Sequence, residues 1–237
     1  MQAGAVDVYF VVPSRIVVLS WFVVPRRIVV PSRGYGVAAG IENDPYLSSM
    51  SQLFTETVFE KKDFREAPLE NGEYEQCQFV HCDFSNTDLS GILFIDCSFS
   101  HCNLSLVVLA KTCFRDVVFA ECKMWGLHFE HADPFGFSVS FNACSLNHSS
   151  FYQMKLKKMV FTGCSLVEVD LAEADLGGAV FDACDLAGAV FDRTNLEKAD
   201  FRSAVHYSID PTANKIKKAR FSIDGLAGLL DKFDIEI

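Results

Sequence analysis

The sequence predicts an all-β solenoid, and three observations carry that reading. The first is a period of five. Taken in steps of five from 54 to 129, the residues are Phe, Phe, Phe, Leu, Tyr, Phe, Phe, Leu, Phe, Phe, Leu, Leu, Phe, Phe, Met and Phe, and the series resumes at Phe141 and runs to Phe201. Five fits neither a helix of 3.6 nor a flat strand of 2. It fits short units that wind into a coil and stack. The second observation is a period of twenty. Phe59, Phe79, Phe99 and Phe119 form one column, and Leu69, Leu89, Leu109 and Phe129 another. Phe141, Phe161, Phe181 and Phe201, and likewise Leu156, Leu176 and Leu196, repeat it further on. One turn is therefore four five-residue units, a square coil with one inward side chain per side. Stacked at the ~4.8 Å spacing of neighbouring strands, about seven coils make a rod of roughly 35 Å.

The third observation is cysteine. Eight of the nine cysteines, Cys77, Cys82, Cys97, Cys102, Cys122, Cys144, Cys164 and Cys184, stand two residues before an inward centre. The same place holds Thr87, Val117, Ala174, Ala179 and Ala199. It reads as a slot for a small inward side chain, which a free thiol suits. The pairs Cys77/Cys82 and Cys97/Cys102 have a metal-like spacing, but their members point inward from different sides of the square, so no metal or other cofactor is expected. Reduced thiols point to a cytoplasmic protein.

The elements follow in order. Residues 1–49 are of another kind. Val-Val-Pro-Ser-Arg recurs as a hexad between Val11 and Gly34, a period foreign to the coil. This segment reads as a non-native or disordered extension before a start at Met50. Its apolar runs are broken by Pro and Arg, no positively charged segment precedes them, and none is an uncharged stretch of ~20 residues. The solenoid covers 50–205. Phe141 follows Phe129 by a step of twelve residues where two units would use ten. A corner bulge at 130–140, near Pro134, is expected, and it returns Phe141 to the Phe59 column. Residues 206–237 form a cap. His206 and Pro211 fall on the next centres, Ile216 and Phe221 resume the phase, and Lys215, Lys217, Lys218 and Arg220 make a basic run. Leu226, Leu229, Leu230 and Phe233 then follow the spacing of a short amphipathic helix. Ser222 or Asp224 can cap that helix, and Ile235 and Ile237 alternate like a terminal strand. A last coil exposes backbone edges and must be covered.

At the level of single units the chain resembles the pentapeptide-repeat family. Its pattern is Ala, then Asp or Asn, then Leu or Phe, then two variable residues. It stands here as Ala174-Asp175-Leu176-Gly177-Gly178 and Ala199-Asp200-Phe201-Arg202-Ser203, with Cys184-Asp185-Leu186-Ala187-Gly188 as a Cys variant. The resemblance covers about 54–205 and implies a right-handed quadrilateral β-helix. Size, the interrupted coil and the C-terminal tail are similar to the Qnr-like branch. That branch protects DNA gyrase from quinolones and pairs through a C-terminal cap. The likeness implies a gyrase or topoisomerase partner, DNA mimicry and a homodimer through Leu226, Leu229, Leu230 and Phe233.

Charge bears on the partner. The chain carries 31 acidic and 21 basic residues, a net charge of −10. That balance argues against direct nucleic-acid binding and for a basic protein partner. Acid gathers late, at Glu168, Asp170, Glu173, Asp175, Asp182, Asp185, Asp192, Glu197 and Asp200 against Arg193 and Lys198. These residues are either the solvated face every solenoid needs or an acidic binding surface. The candidate partner-binding residues are Glu130, Asp133, Phe135 and Phe137 at the bulge, with Asp170, Asp175, Asp182 and Asp192. No phosphate loop or nucleophile motif is present, and a core filled with Phe and Leu leaves no interior pocket of the kind catalysis uses. The reading is a non-enzyme that acts through its surface, as a gyrase-directed protein or as an interaction scaffold for an unrelated partner.

Overall fold

The computed structural model describes Val8–Val12, Arg15–Leu19, residues 52–233 and residue 235. The chain divides into two compact units, 1–37 and 38–237. In the first, Val8–Val12 pairs antiparallel with Arg15–Leu19, Val12 opposite Arg15. Met50 and most of the hexad segment lie outside the described residues, and with them the expected start.

In the second unit each five-residue step puts one apolar residue inward and then turns a corner. The turn is made at the residue two places past the centre, where φ is positive: 53° at His81, 50° at Asp96, 58° at Glu173. Left-handed backbone costs an L-residue about 1–2 kcal/mol. The stack offsets this cost, because each corner N–H donates to a carbonyl of the next coil: His81 to Ser100, 2.9 Å; Asp96 to Arg115, 2.9 Å; Glu173 to Asp192, 2.8 Å. Corners and stack therefore need each other.

Numbered in chain order from Phe54, the second side of the square is a nine-stranded parallel sheet. Its strands are Val58–Glu60, Gln78–Val80, Ser98–Ser100, Val117–Ala120, Val139–Asn142, Val160–Thr162, Val180–Asp182, Asp200–Phe201 and Arg220–Phe221. The first side has four strands: Gln52–Thr55, Gly72–Glu75, Leu93–Ile95 and Cys113–Arg115. The third and fourth sides are joined by single bridges, such as Asp63 to Asp83 and Ser150 to Asp170. Nine rungs exceed the expected seven coils, because the phase persists to Phe221.

The core is columns of side chains. On the second side, rings stack from Phe59 to Phe221 with centroids 4.5–5.6 Å apart and planes within 4–21°. Phe119 pairs with Phe141 across the interruption. Rings on neighbouring sides meet edge to face, as Phe79 meets Phe94 and Phe161 meets Phe151. Both arrangements suit the aromatic quadrupole.

The cysteine slot has a second requirement that size alone did not show. Seven of the eight slot thiols donate to the carbonyl of a centre in the preceding coil, among them Cys82 to Phe59, 3.3 Å; Cys102 to Phe79, 3.4 Å; and Cys122 to Phe99, 3.4 Å, while Cys144 donates to Asn142. Thr112 and Thr194 do the same with a hydroxyl, at 2.8 Å to Leu89 and 2.9 Å to Leu171. The slot takes a small side chain and also suits one that can donate. All nine cysteines are buried and free, and burial pushes the Cys82 thiol up.

The tail departs from the expectation. Leu226–Phe233 is not an α-helix but two 3₁₀ segments, Leu226–Leu229 and Asp231–Phe233. Glycine explains this. Ile209 N–H donates to the Gly228 carbonyl at 2.8 Å. A Cβ on Gly225 would run into the Tyr207 hydroxyl, and one on Gly228 into the Tyr207 carbonyl. The close approach requires both glycines, and two glycines in four residues disfavour an α-helix. The i to i+3 bonds of the tighter helix appear instead, Leu230 N–H to Ala227 at 2.8 Å and Phe233 N–H to Leu230 at 2.9 Å. Ser222 Oγ accepts from Gly225 N–H at 3.1 Å, just before the first segment. Where His206 and Pro211 fall on centres, Tyr207 and Ile209 are buried in their place. The expected strand at Ile235–Ile237 lies largely outside the described residues.

Candidate interaction site

The interruption re-aims four residues the sequence had grouped. Phe129–His131 is a 3₁₀ turn that still holds Phe129 in the core. Asp133 N–H keeps the regular ladder, donating to Thr112 at 2.9 Å, while Ser138 N–H has slipped to Phe114. The two extra residues therefore lie between 133 and 138. Asp133 Oδ1 accepts the Phe135 N–H at 2.8 Å and closes the turn. Phe135 projects outward, 76% exposed, with the Arg115 guanidinium 5.8 Å from its ring centroid. Phe137 goes the other way, its ring edge-on to Phe114 and Phe129 at 6.3 Å each. It plugs the first side, where a step of twenty falls on Pro134 counted from Phe114 and on Gly136 counted back from Leu156. The loop also covers Cys113, the one cysteine outside the slot, whose thiol faces the Phe135 carbonyl.

Glu130 is half-buried. Its Oε1 lies 2.9 Å from His128 Nδ1, and its Oε2 is buried with no hydrogen-bond partner among the described residues. Beside it opens a cleft of about 470 Å³, lined by Glu130, Ala132, Pro134, Phe137, Tyr152 and Gln153 among others. His128 and His131 stack at 5.3 Å. Among the described residues no group of three or more His, Cys, Asp or Glu could hold a metal ion.

The four aspartates do not share a surface. Asp170 and Asp192 stand on the fourth side, Asp175 on the first and Asp182 on the second, as their positions in the coil require. Two of them are occupied in turns. A carboxylate just before a centre accepts the N–H two residues on: Asp170 from Ala172 at 2.9 Å, Asp175 from Gly177 at 3.3 Å. Asp83, Asp88, Asp185 and Asp200 do likewise. This is why the repeat prefers Asp or Asn there. Asp175 also meets Asn195 Nδ2 at 2.7 Å and Lys157 at 3.1 Å, and these donors help hold its carboxyl below its usual range despite partial burial, which opposes them. Asp182 accepts from Ser203 Oγ at 2.8 Å, and Asp192 lies 3.3 Å from Arg193.

In the cap the apolar stripe is split by the 3₁₀ geometry. Leu229 packs against the core, Leu230 is half-buried, and Leu226 and Phe233 are 46% and 47% exposed. Lys232 ties this end to the preceding loop through Asp210 at 2.6 Å and through Thr212. Sequence reasoning passed over Leu106 and Trp125, which are exposed side chains on the third side. Lys123 lies 4.0 Å over the indole, and the indole N–H donates to Ser145. Their signal was present: both stand outside the inward positions yet are large and apolar.

No helix among the described residues is long and apolar enough to cross a membrane. No curated protein matches the chain in sequence. Among solved structures, a trypsin-treated form of QnrB1, a plasmid-mediated fluoroquinolone resistance protein, is 14% identical with a TM-score of 0.55, over 79% of this chain and 92% of that one. Full-length QnrB1 is 15% identical over 77% and 100%, TM-score 0.33. HetL, involved in heterocyst differentiation regulation in the cyanobacterium Nostoc sp. strain PCC 7120, is 15% identical over 76% and 94%, TM-score 0.36. The profile of the pentapeptide repeat region matches residues 72–134 and 137–204, more than half of the sequence. The chain belongs to the pentapeptide-repeat family.

Proposed function

We propose that this chain is a non-catalytic rod that binds another protein through its outer sides, and that the partner is a DNA gyrase or related topoisomerase, giving protection from quinolones. The observation that carries the first half is the filled interior. Stacked side chains occupy every inward position of the coils, so recognition falls to the outward ones. The gyrase half draws on the fold shared with a fluoroquinolone resistance protein. Phe135, the aromatic carried furthest into solvent at the interruption, is the proposed central contact. Glu130 and Asp133 form its acidic flank, and Asp182 and Asp192 are the more available of the late aspartates. A C2 pairing through Leu226, Leu230 and Phe233 is part of the proposal, because an isologous contact would cover the apolar groups the cap leaves exposed.

Expression in a susceptible bacterium should raise the inhibitory concentration of ciprofloxacin, and the purified chain should relieve ciprofloxacin inhibition of gyrase supercoiling. If neither changes, the gyrase assignment is wrong. The second reading, a scaffold for an unrelated partner, is favoured by the short interruption: two extra residues make a small loop with which to grip an enzyme.

A further inference from the structure

We infer that the C-terminal half of the first side is a docking face for the phosphate backbone of duplex DNA. The net charge of the chain hides this face. Sorting residues by their place in the coil brings seven of the twelve lysines together: Lys155, Lys157, Lys158, Lys198, Lys215, Lys217 and Lys218. The register is set by the bridges Lys155 to Asp175, Asp175 to Asn195, and Asn195 to Lys215. All seven side chains are exposed. The carboxylates on the same face are Asp175, already engaged by Lys157 and Asn195, and Glu197.

The arrangement is two rows. Lys155, Lys157 and Lys158 form one row and Lys215, Lys217 and Lys218 the other. Three coil spacings of ~4.8 Å put these rows about 14 Å apart. Between them Gly177 and Gly178 add no side chain beside Asp175, and the next rung carries Glu197 and Lys198. A separation of about 14 Å is near the ~12 Å width of a major groove, which lets flexible lysines reach phosphates on both of its borders. The face carries no exposed aromatic platform of the kind that holds single strands. It has no arginine fork to read base edges. Lysine is a point charge that suits a phosphate backbone, and counterion release gives a duplex an affinity that single surface ion pairs with an acidic protein do not reach. The neighbouring fourth side carries Asp170, Glu173, Asp192 and Asp210 against Arg193 in these coils, so a duplex is steered away from it.

The test uses the full chain, a random-sequence duplex of about 20 base pairs and fluorescence anisotropy. With about four or five phosphates neutralised, the logarithm of the affinity should fall against the logarithm of salt with a slope of about −4, a few hundredfold over a fourfold rise in salt. Reversing Lys158, Lys217 and Lys218 to Glu should weaken binding more than tenfold and flatten the slope. Reversing Lys61 and Lys62, on the first coil, should leave both unchanged. Circular dichroism melts confirm that the variants fold. No binding at low salt overturns the inference, as does binding that the triple reversal leaves intact. Competition by polyglutamate as strong per charge as by duplex would also overturn it and make this an acidic-protein site. No protein partner is present in the assay, so its outcome is independent of the gyrase test.

Discussion

The coils and the cap solve the same problem by different means. In the coils a residue's role follows from its position within twenty, and one rule places Phe161, Cys164 and Glu168 as it places Phe181, Cys184 and Gly188. Neighbouring coils supply the backbone partners, so one side chain can replace another of similar size with little consequence. In the cap no following coil exists. Tyr207, Gly225, Gly228 and the Asp210–Lys232 pair each meet one particular partner. Repetition makes the coils tolerant at outward places and strict at inward ones, while the cap is strict at isolated contacts that no period announces.

The largest expected effect sharpens this contrast within one coil. Phe161→Ala removes a ring stacked between Phe141 and Phe181 and should cost ~3–5 kcal/mol in chemical denaturation. Its outward neighbour Thr162→Ala should shift stability by less than ~0.5 kcal/mol. Comparable losses would mean that the inward register is misplaced. In the same coil Cys164 should react with thiol reagents only as fast as the coil opens, because the neighbouring Cys184 thiol and burial both push its thiol up. Rapid labelling of the native protein would contradict its place in the slot.

A smaller effect is expected from Gly228→Ala. The added methyl meets the Tyr207 carbonyl, and overpacking of this kind costs about 1–3 kcal/mol. The loss should be confined to the cap. Hydrogen exchange should speed up at Ile209 and Leu230 and stay slow at Phe161, whereas uniform acceleration would show that cap and coils unfold as one unit.

The smallest effect is one of pH. The Lys232 ammonium beside Asp210 holds that carboxyl down at about 2, below its ordinary 3.8. A depressed carboxylate stabilises the fold above its unfolded value, and the contribution is lost as pH falls toward the folded one. The tie between cap and loop should therefore be complete above pH 3.8 and weaken between there and about 2. Asp210→Asn should remove that acid step from a cap-reporting NMR signal, and an unchanged step would assign it to another group.

The period made the inward centres, the eight-ring run from Phe59 to Phe201 and the cysteine column legible, because inward positions obey a rule of size and polarity that one sequence can display. Four things were not legible, each for a physical reason. The cap's helix type turned on glycines pressed against Tyr207, a contact between residues about twenty apart that no spacing encodes. At the interruption a step of five falls on Pro134 from one side and on Gly136 from the other, but an empty core position is costly and Phe137 fills it. The late aspartates read as a surface, although Asp170 and Asp175 are engaged by backbone N–H groups. The lysine face was hidden because net charge sums over four sides that point in different directions.

The central claim is that place within a twenty-residue coil assigns each residue to a side. It can be tested by deletion. Removing residues 161–180 joins Val160 to Phe181 and keeps every later residue on its side. Removing only 161–170 joins Val160 to Leu171 and moves every later residue to the opposite side. Thermal unfolding of the two chains, followed by circular dichroism, should show a cooperative transition near that of the parent for the twenty-residue deletion, and loss of cooperative folding for the ten-residue one. Equal transitions in both, or a collapse of the twenty-residue deletion alone, would contradict the claim.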